Sequence, residues 1–140
     1  MSNHESRYIL LVEDDEVDRM TVKRAIKKLK IPNDLVTAEN GEEALDLLHS
    51  SKELPWFILM DINMPRMNGL ELLKIMKSDE RLKIIPIIML TTSAQDEDRY
   101  ESFQNSVAGY VIKPVEFQDF MDAIDRIHKY WIMVDSPDDF

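Results

Sequence analysis

The chain of 140 residues is 44% hydrophobic and has no cysteine, enough for one globular domain with a sizeable core and incompatible with a disulfide framework or a thiolate metal site. A formal net charge of -10 sets most of the surface against nucleic-acid phosphates, and no stretch approaches the roughly 18 apolar residues of a membrane span. The polar start "MSNHESR" lacks the apolar core of a signal peptide, so the expected compartment is the cytoplasm, with neither nucleic acid nor membrane as partner.

Short aliphatic runs alternate with longer stretches of helical period. "YILLV" (8–12) reads as a first strand, followed by a helix whose face carries Val17, Met20, Thr21, Ile26 and Leu29. "DLVTA" (34–38) gives a second strand. Asn40 then serves as N-cap for a helix faced by Ala44, Leu45, Leu47 and Leu48, with Glu43 spaced as in a capping box. "WFILM" (56–60) is a third strand, buried on both sides, and Asn68-Gly69 supplies loop chemistry before a helix faced by Leu70, Leu72, Leu73 and Met76. "IPIIML" (85–90) is a fourth strand, and Tyr100, Phe103 and Val107 give the next helix a sparse stripe. "GYVI" (109–112) is the fifth. Phe117, Phe120, Met121, Ile124, Ile127 and Trp131 then repeat at i, i+3, i+4 and i+7 in a last helix. Strict alternation of strand and helix calls for an α/β fold with a five-stranded parallel sheet and right-handed crossovers. One domain spanning 1–140 is expected, with its core at about 8–131 and loose ends at about 1–6 and "DSPDDF".

Chemistry gathers where these strands end. The first runs into Glu13-Asp14-Asp15, the third into Asp61, the fourth into Thr91-Thr92-Ser93 and the fifth into Lys113-Pro114. In an open parallel sheet ligands bind beyond the carboxyl ends of the strands, so these groups share one edge. Each alone is more simply a helix cap or a turn; at the ends of four strands they form a constellation. Carboxylates of Glu13, Asp14 and Asp61 about 4 Å apart repel by roughly 4 kcal/mol at an effective dielectric of 20, and need a cation between them. Oxygen ligands without His or Cys suit a hard ion such as Mg²⁺ or Mn²⁺, and Lys113 supplies a second positive charge. An aspartate beside a metal, a lysine and the hydroxyl of Thr91 suits phosphoryl transfer with Asp61 as acceptor.

The motifs "LLVEDDE", "ILMDINMPRMNG", "IIMLTTS" and "GYVIKP", in this order, resemble the receiver domain of two-component response regulators over about Tyr8 to Trp131. The resemblance implies a flavodoxin-like strand order 2-1-3-4-5 and a phosphoprotein of the phosphorelay type, accepting a phosphoryl group on Asp61 from a sensor histidine kinase. It implies Mg²⁺ held by Asp14, Asp61 and the backbone carbonyl of Asn63, with Glu13 reaching the ion through water. It further implies a cis peptide at Lys113-Pro114, phosphoryl lifetime tuned by Asn63 and Ser93, and a switch coupling Thr91 to Tyr110 that biases the face of the fourth helix, fifth strand and fifth helix. "SDERLKIIPIIMLTTS" and "KYWIMV" resemble the single-domain regulators that pair with bacterial phytochrome kinases.

Departures from the family pattern are "QNSVAG" before the fifth strand, where Asn105 is expected to tolerate a left-handed turn, and Thr92 in place of a small alanine. No output domain is expected beyond the last helix, so signalling is expected to pass by contact with a downstream protein. Tyr130, Ile132, Met133 and Val134 extend apolar surface for a homodimer or another partner. His4, His49 and His128 are scattered and read as surface or packing residues. A haloacid-dehalogenase-type phosphatase needs a second aspartate two residues beyond the nucleophile. Asn63 stands there and cannot exchange that proton, so a switch rather than a turnover enzyme is expected. The alternative is a pseudo-receiver that binds partners without phosphorylation.

Overall fold

The computed structural model describes residues 7–133. The expected loose ends, His4 and Val134 lie outside the described residues. The elements alternate as expected: β1 (Ile9–Val12), α1 (Glu16–Lys28), β2 (Leu35–Ala38), α2 (Gly41–Ser50), β3 (Phe57–Met60), α3 (Gly69–Lys77), β4 (Ile87–Thr91), α4 (Asp96–Gln104), β5 (Gly109–Ile112) and α5 (Phe117–Met133). The five strands are parallel in the order β2-β1-β3-β4-β5, the flavodoxin-like topology.

Alternation along the strands divides the core into two layers. Leu10, Val12, Ile58, Met60, Ile87 and Met89 point to one face and pack with Ala44, Leu48, Leu72, Leu73 and Met76 of α2 and α3. Ile9, Leu11, Phe57, Leu59, Ile88 and Leu90 point to the other and pack with Val22, Ala25, Ile26, Phe120 and Ile124 of α1 and α5. Each fully buried aliphatic side chain contributes on the order of 1.5–3 kcal/mol, so the two layers together fix the strand register.

Three local expectations change. Val17 and Met20 are 69% and 61% exposed, and α1 meets the sheet through the expected Ile26 together with Val22 and Ala25, which the expected face left out. The first turn of α1 starts beyond the end of β1, where no strand lies beneath it. On α4, Tyr100 and Phe103 are exposed, while Ser102 is buried, its hydroxyl donating to the Asp98 carbonyl at 2.7 Å. A small residue whose hydroxyl is satisfied within its own helix brings α4 close to the sheet, and the aromatics turn outward. Before β5 the left-handed residue is Ser106, with φ 63°, rather than Asn105, whose side-chain amide is engaged by the Glu101 carbonyl at 2.9 Å.

Helix starts follow the sequence chemistry. Asn40 accepts from the Glu43 amide at 2.9 Å. Asn68, read from sequence only as loop chemistry, forms a full capping box with Glu71: its Oδ1 accepts from the Glu71 amide at 2.9 Å, and the Glu71 carboxylate accepts from the Asn68 amide at 3.4 Å.

Candidate functional site

Register delivers the acidic groups to one edge. Val12 pairs with Met60, so Glu13 and Asp61 leave neighbouring strands side by side, and the Asp61 amide donates to the Val12 carbonyl at 3.0 Å. Thr91 pairs with Ile112 across β4 and β5, and the Lys113 amide donates to the Thr91 carbonyl at 2.8 Å, which sets the root of the lysine. The edge lies where the chain order reverses between β1 and β3, the place a parallel sheet offers a ligand.

Glu13, Asp14 and Asp61 each present a carboxylate oxygen within 4.8 Å of the others. Glu13 and Asp61 are buried and Asp14 is exposed, so the cluster opens to solvent on one side. Three hard oxygens converging at a sheet end fit a small divalent cation that retains some of its waters. Burial pushes the Glu13 carboxyl up to about 7; the Lys113 hydrogen bond opposes this, and the negative charge of Asp61 adds to it.

Lys113 crosses the site. Its ammonium donates in a very short contact to Glu13, donates to Asp18 Oδ2 at 2.9 Å and lies 3.6 Å from Asp61 Oδ2. Burial works against that charge, but the bonds to Glu13 and Asp18 and the field of Asp61 outweigh it and hold the lysine pKa above its usual value. The sequence reading missed Asp18. The signal that could have found it is its place four residues after Asp14, one turn into a helix that opens at this edge.

The remaining expected residues surround the cluster. The Asn63 amide donates to Asp61 Oδ1 at 3.4 Å, and its residue is exposed at the mouth of the site. Thr91 is fully buried, its hydroxyl oxygen accepting from the Ser93 amide at 3.2 Å. The Ser93 hydroxyl donates to Asp98 at 2.5 Å, and the Tyr110 hydroxyl donates to the Ser93 carbonyl at 2.9 Å. One short loop thus joins the threonine, the tyrosine ring and the first turn of α4. Burial pushes the Tyr110 phenol up, so it stays a donor. Asp15 acts as the N-cap of α1, accepting from the amides of Val17 and Asp18.

Gly69 explains why the loop after β3 turns so tightly. A Cβ there would stand 2.2 Å from the Asp61 carbonyl oxygen, so α3 begins against the backbone of that aspartate. The expected cis peptide is corrected: Lys113-Pro114 is trans, since no cis bond occurs among the described residues. An X-Pro bond favours trans by about 0.5–1 kcal/mol, the isomer this bond adopts. His49 lies 3.5 Å from Asp79, and His128 packs edge-on against Trp56, in agreement with surface and packing roles.

Residues 9–125 match the family model for the response regulator receiver domain. The chain belongs to that family. It is 37% identical over 119 residues to the chemotaxis protein CheY of Pseudomonas aeruginosa, covering 85% of this chain and 94% of that one. The structure of a phosphorylated cyanobacterial phytochrome response regulator, RcpA, superposes with a TM-score of 0.88 at 30% identity, covering 94% of this chain and 99% of that one. The Mn²⁺-bound form of response regulator Rcp1 gives a TM-score of 0.84 at 31% identity, again covering 94% and 99%. The chain is therefore a response regulator receiver, similar over most of its length to CheY and Rcp1. Receivers are phosphoacceptor signalling domains rather than turnover enzymes, and the pocket of Glu13, Asp14 and Asp61 fits the phosphorylation and divalent-metal site of the family.

Proposed function

We propose that this receiver takes a phosphoryl group onto Asp61 from a sensor histidine kinase and signals through the surface of α4, β5 and α5. The observation that carries the reading is a buried acceptor carboxylate with two further carboxylates within 4.8 Å and an ammonium at 3.6 Å. In the forward step an Asp61 oxygen attacks the phosphorus of a phosphohistidine. The P–N bond breaks with its electron pair on the imidazole nitrogen, and the new O–P bond makes an acyl phosphate. In a separate dephosphorylation step water attacks that phosphorus and gives up a proton to solvent, the O–P bond returns its pair to Asp61, and inorganic phosphate leaves.

Glu13, Asp14, Asp61 and the Asn63 carbonyl are assigned to hold Mg²⁺, or Mn²⁺ in its place. Such an ion supplies neutralising charge to the phosphoryl oxygens and helps align them. Lys113 adds a charged donor, and Thr91 a hydroxyl donor once it turns from Ser93. Asn63, whose amide donates to Asp61, and Ser93, in the loop of Thr91, are assigned to set the lifetime of the acyl phosphate. Because the Tyr110 hydroxyl is bonded to the same loop as Thr91, a shift of that threonine reaches the tyrosine ring and the start of α4.

The likeness to phytochrome response regulators supports a phytochrome-type kinase as donor. Among the described residues no helix is long and apolar enough to cross a membrane. The 140 residues are read as one receiver with its core at about 8–131. Tyr130, Ile132 and Met133 stand 57%, 51% and 83% exposed beside an apolar groove of about 440 Å³ between β5 and α5, and support contact with a downstream protein or a second copy through α5. Val134, expected to extend this surface, lies outside the described residues.

Acetyl phosphate with Mg²⁺ is expected to add one base-labile phosphoryl group by intact mass, with none on Asp61→Asn and none after chelation. A wild type that takes no phosphoryl group under these conditions overturns the reading in favour of a pseudo-receiver.

A further inference from the structure

Lys113 has one positive charge and three carboxylates around it. Its side chain is 9% exposed, and its two hydrogen-bonded partners are Glu13 and Asp18, whereas Asp61 stands beyond hydrogen-bond distance at 3.6 Å. Asp18 has a local role open to it: an acid in the first turn of a helix favours the dipole, and an acid three residues after the N-cap commonly turns back to the cap amide. Its Oδ2 instead meets an ammonium 95 positions away in sequence.

The two partners hold the lysine unequally. Glu13 is 2% exposed and has a second tie, the Asp15 amide donating to its Oε2 at 3.3 Å. Releasing Glu13 would leave a buried carboxyl without its charged partner. Asp18 is 38% exposed and is readily hydrated when released. When a third anion appears on Asp61, the inexpensive exchange is at Asp18.

Building on the phosphoacceptor reading, we propose that Asp18 is a positioning residue that competes with the phosphoryl group for Lys113. In the resting state it draws the ammonium toward α1 and away from full engagement of Asp61. Phosphorylation takes that hydrogen bond from Asp18, so part of the energy of the Lys113–phosphoryl contact is spent breaking an existing ion pair. Asp18 thereby sets how strongly the phosphorylated form is favoured, with no contact of its own to the acceptor.

Beryllofluoride with saturating Mg²⁺, a tetrahedral stand-in for the phosphoryl group, tests the competition by titration calorimetry on the full chain. Asp18→Asn is expected to bind it about fivefold more tightly than wild type, the range of a part-exposed charged hydrogen bond. Asp18→Glu, which keeps the charge, is expected to restore most of the wild-type affinity. In a Lys113→Met background the same Asp18→Asn change is expected to matter less than twofold, because only direct repulsion between Asp18 and the anion is then removed. A structural role alone would weaken binding or lower the melting temperature of Asp18→Asn and leave no dependence on Lys113. Unchanged or weaker binding by Asp18→Asn, or the same factor with and without Lys113, overturns the proposal. A wild type that fails to bind the mimic at all overturns the phosphoacceptor reading together with it.

Discussion

Helices α3 and α4 have nine residues each and flank the same strand, yet they are built to opposite specifications. Helix α3 buries Gly69, Leu70, Leu72, Leu73 and Met76 and starts on a two-way capping box. Helix α4 buries Ser102 alone among its residues, and its N-cap, Gln95, makes no side-chain hydrogen bond. What holds α4 is mostly polar and exchangeable: Ser93 to Asp98, a very short Lys74–Glu101 pair to α3, and the acids Asp96, Glu97 and Asp98 set favourably at the helix start. The rigid helix carries the loop of the acceptor, and the loose one borders the loop of Thr91 and Tyr110. A switch needs one side that keeps its geometry and another whose alternative arrangements differ by little free energy.

The largest expected effect falls on the rigid side. Gly69→Ala sets a methyl group 2.2 Å from the Asp61 carbonyl and 2.9 Å from the Ile62 Cα, both backbone, so neither neighbour can yield by changing rotamer. We expect a loss of about 3 kcal/mol in unfolding free energy by denaturant titration, the upper range for overpacking, together with reduced phosphoryl uptake. Next comes Leu73→Ala. This side chain is fully buried, and its truncation is expected to cost about 3 kcal/mol, whereas Phe103→Ala on α4 is expected to stay within about 0.5 kcal/mol because that ring is 52% exposed. Comparable losses for the two would break the contrast between the helices.

The same contrast governs how much was legible in the sequence. Where packing decides conformation, residue pattern suffices: the strands, their order as the family likeness implied it, and the buried face of α3 agree with what the residues indicate. The expected acids and Lys113 also meet at one edge, since parallel register carries strand ends there. Pattern fails where burial is slight. On α4 the apolar residues Tyr100 and Phe103 imitate a core stripe although a small serine makes the contact, and at the start of α1 Val17 and Met20 overhang the end of the sheet. Asp18 was missed because its partner is 95 positions away, so its place one turn into α1 at this edge hints at the site but does not name the lysine. The trans Lys113-Pro114 bond was beyond reach for a related reason, since isomer preference at proline is set by small differences in surroundings that no motif encodes.

Exchanging the caps of the two helices sharpens the comparison at its smallest scale. Asn68→Ala removes the acceptor of the Glu71 amide and breaks the box, with an expected cost of about 1 kcal/mol. Gln95→Asn gives α4 the short side chain that it lacks at this position, and its φ of -71° and ψ of 131° already suit a capping residue, so a gain below about 1 kcal/mol is expected. Global stability reports such a gain poorly, because α4 can open while the rest stays folded. Amide exchange followed by mass spectrometry resolves it: peptides covering Asp96–Gln104 should exchange faster than those covering Gly69–Lys77 in the wild type and slow down in Gln95→Asn, with α3 unchanged. Equal protection of both helices in the wild type would mean that α4 is held by more than its few polar ties, and the division between rigid carrier and movable reporter would fail.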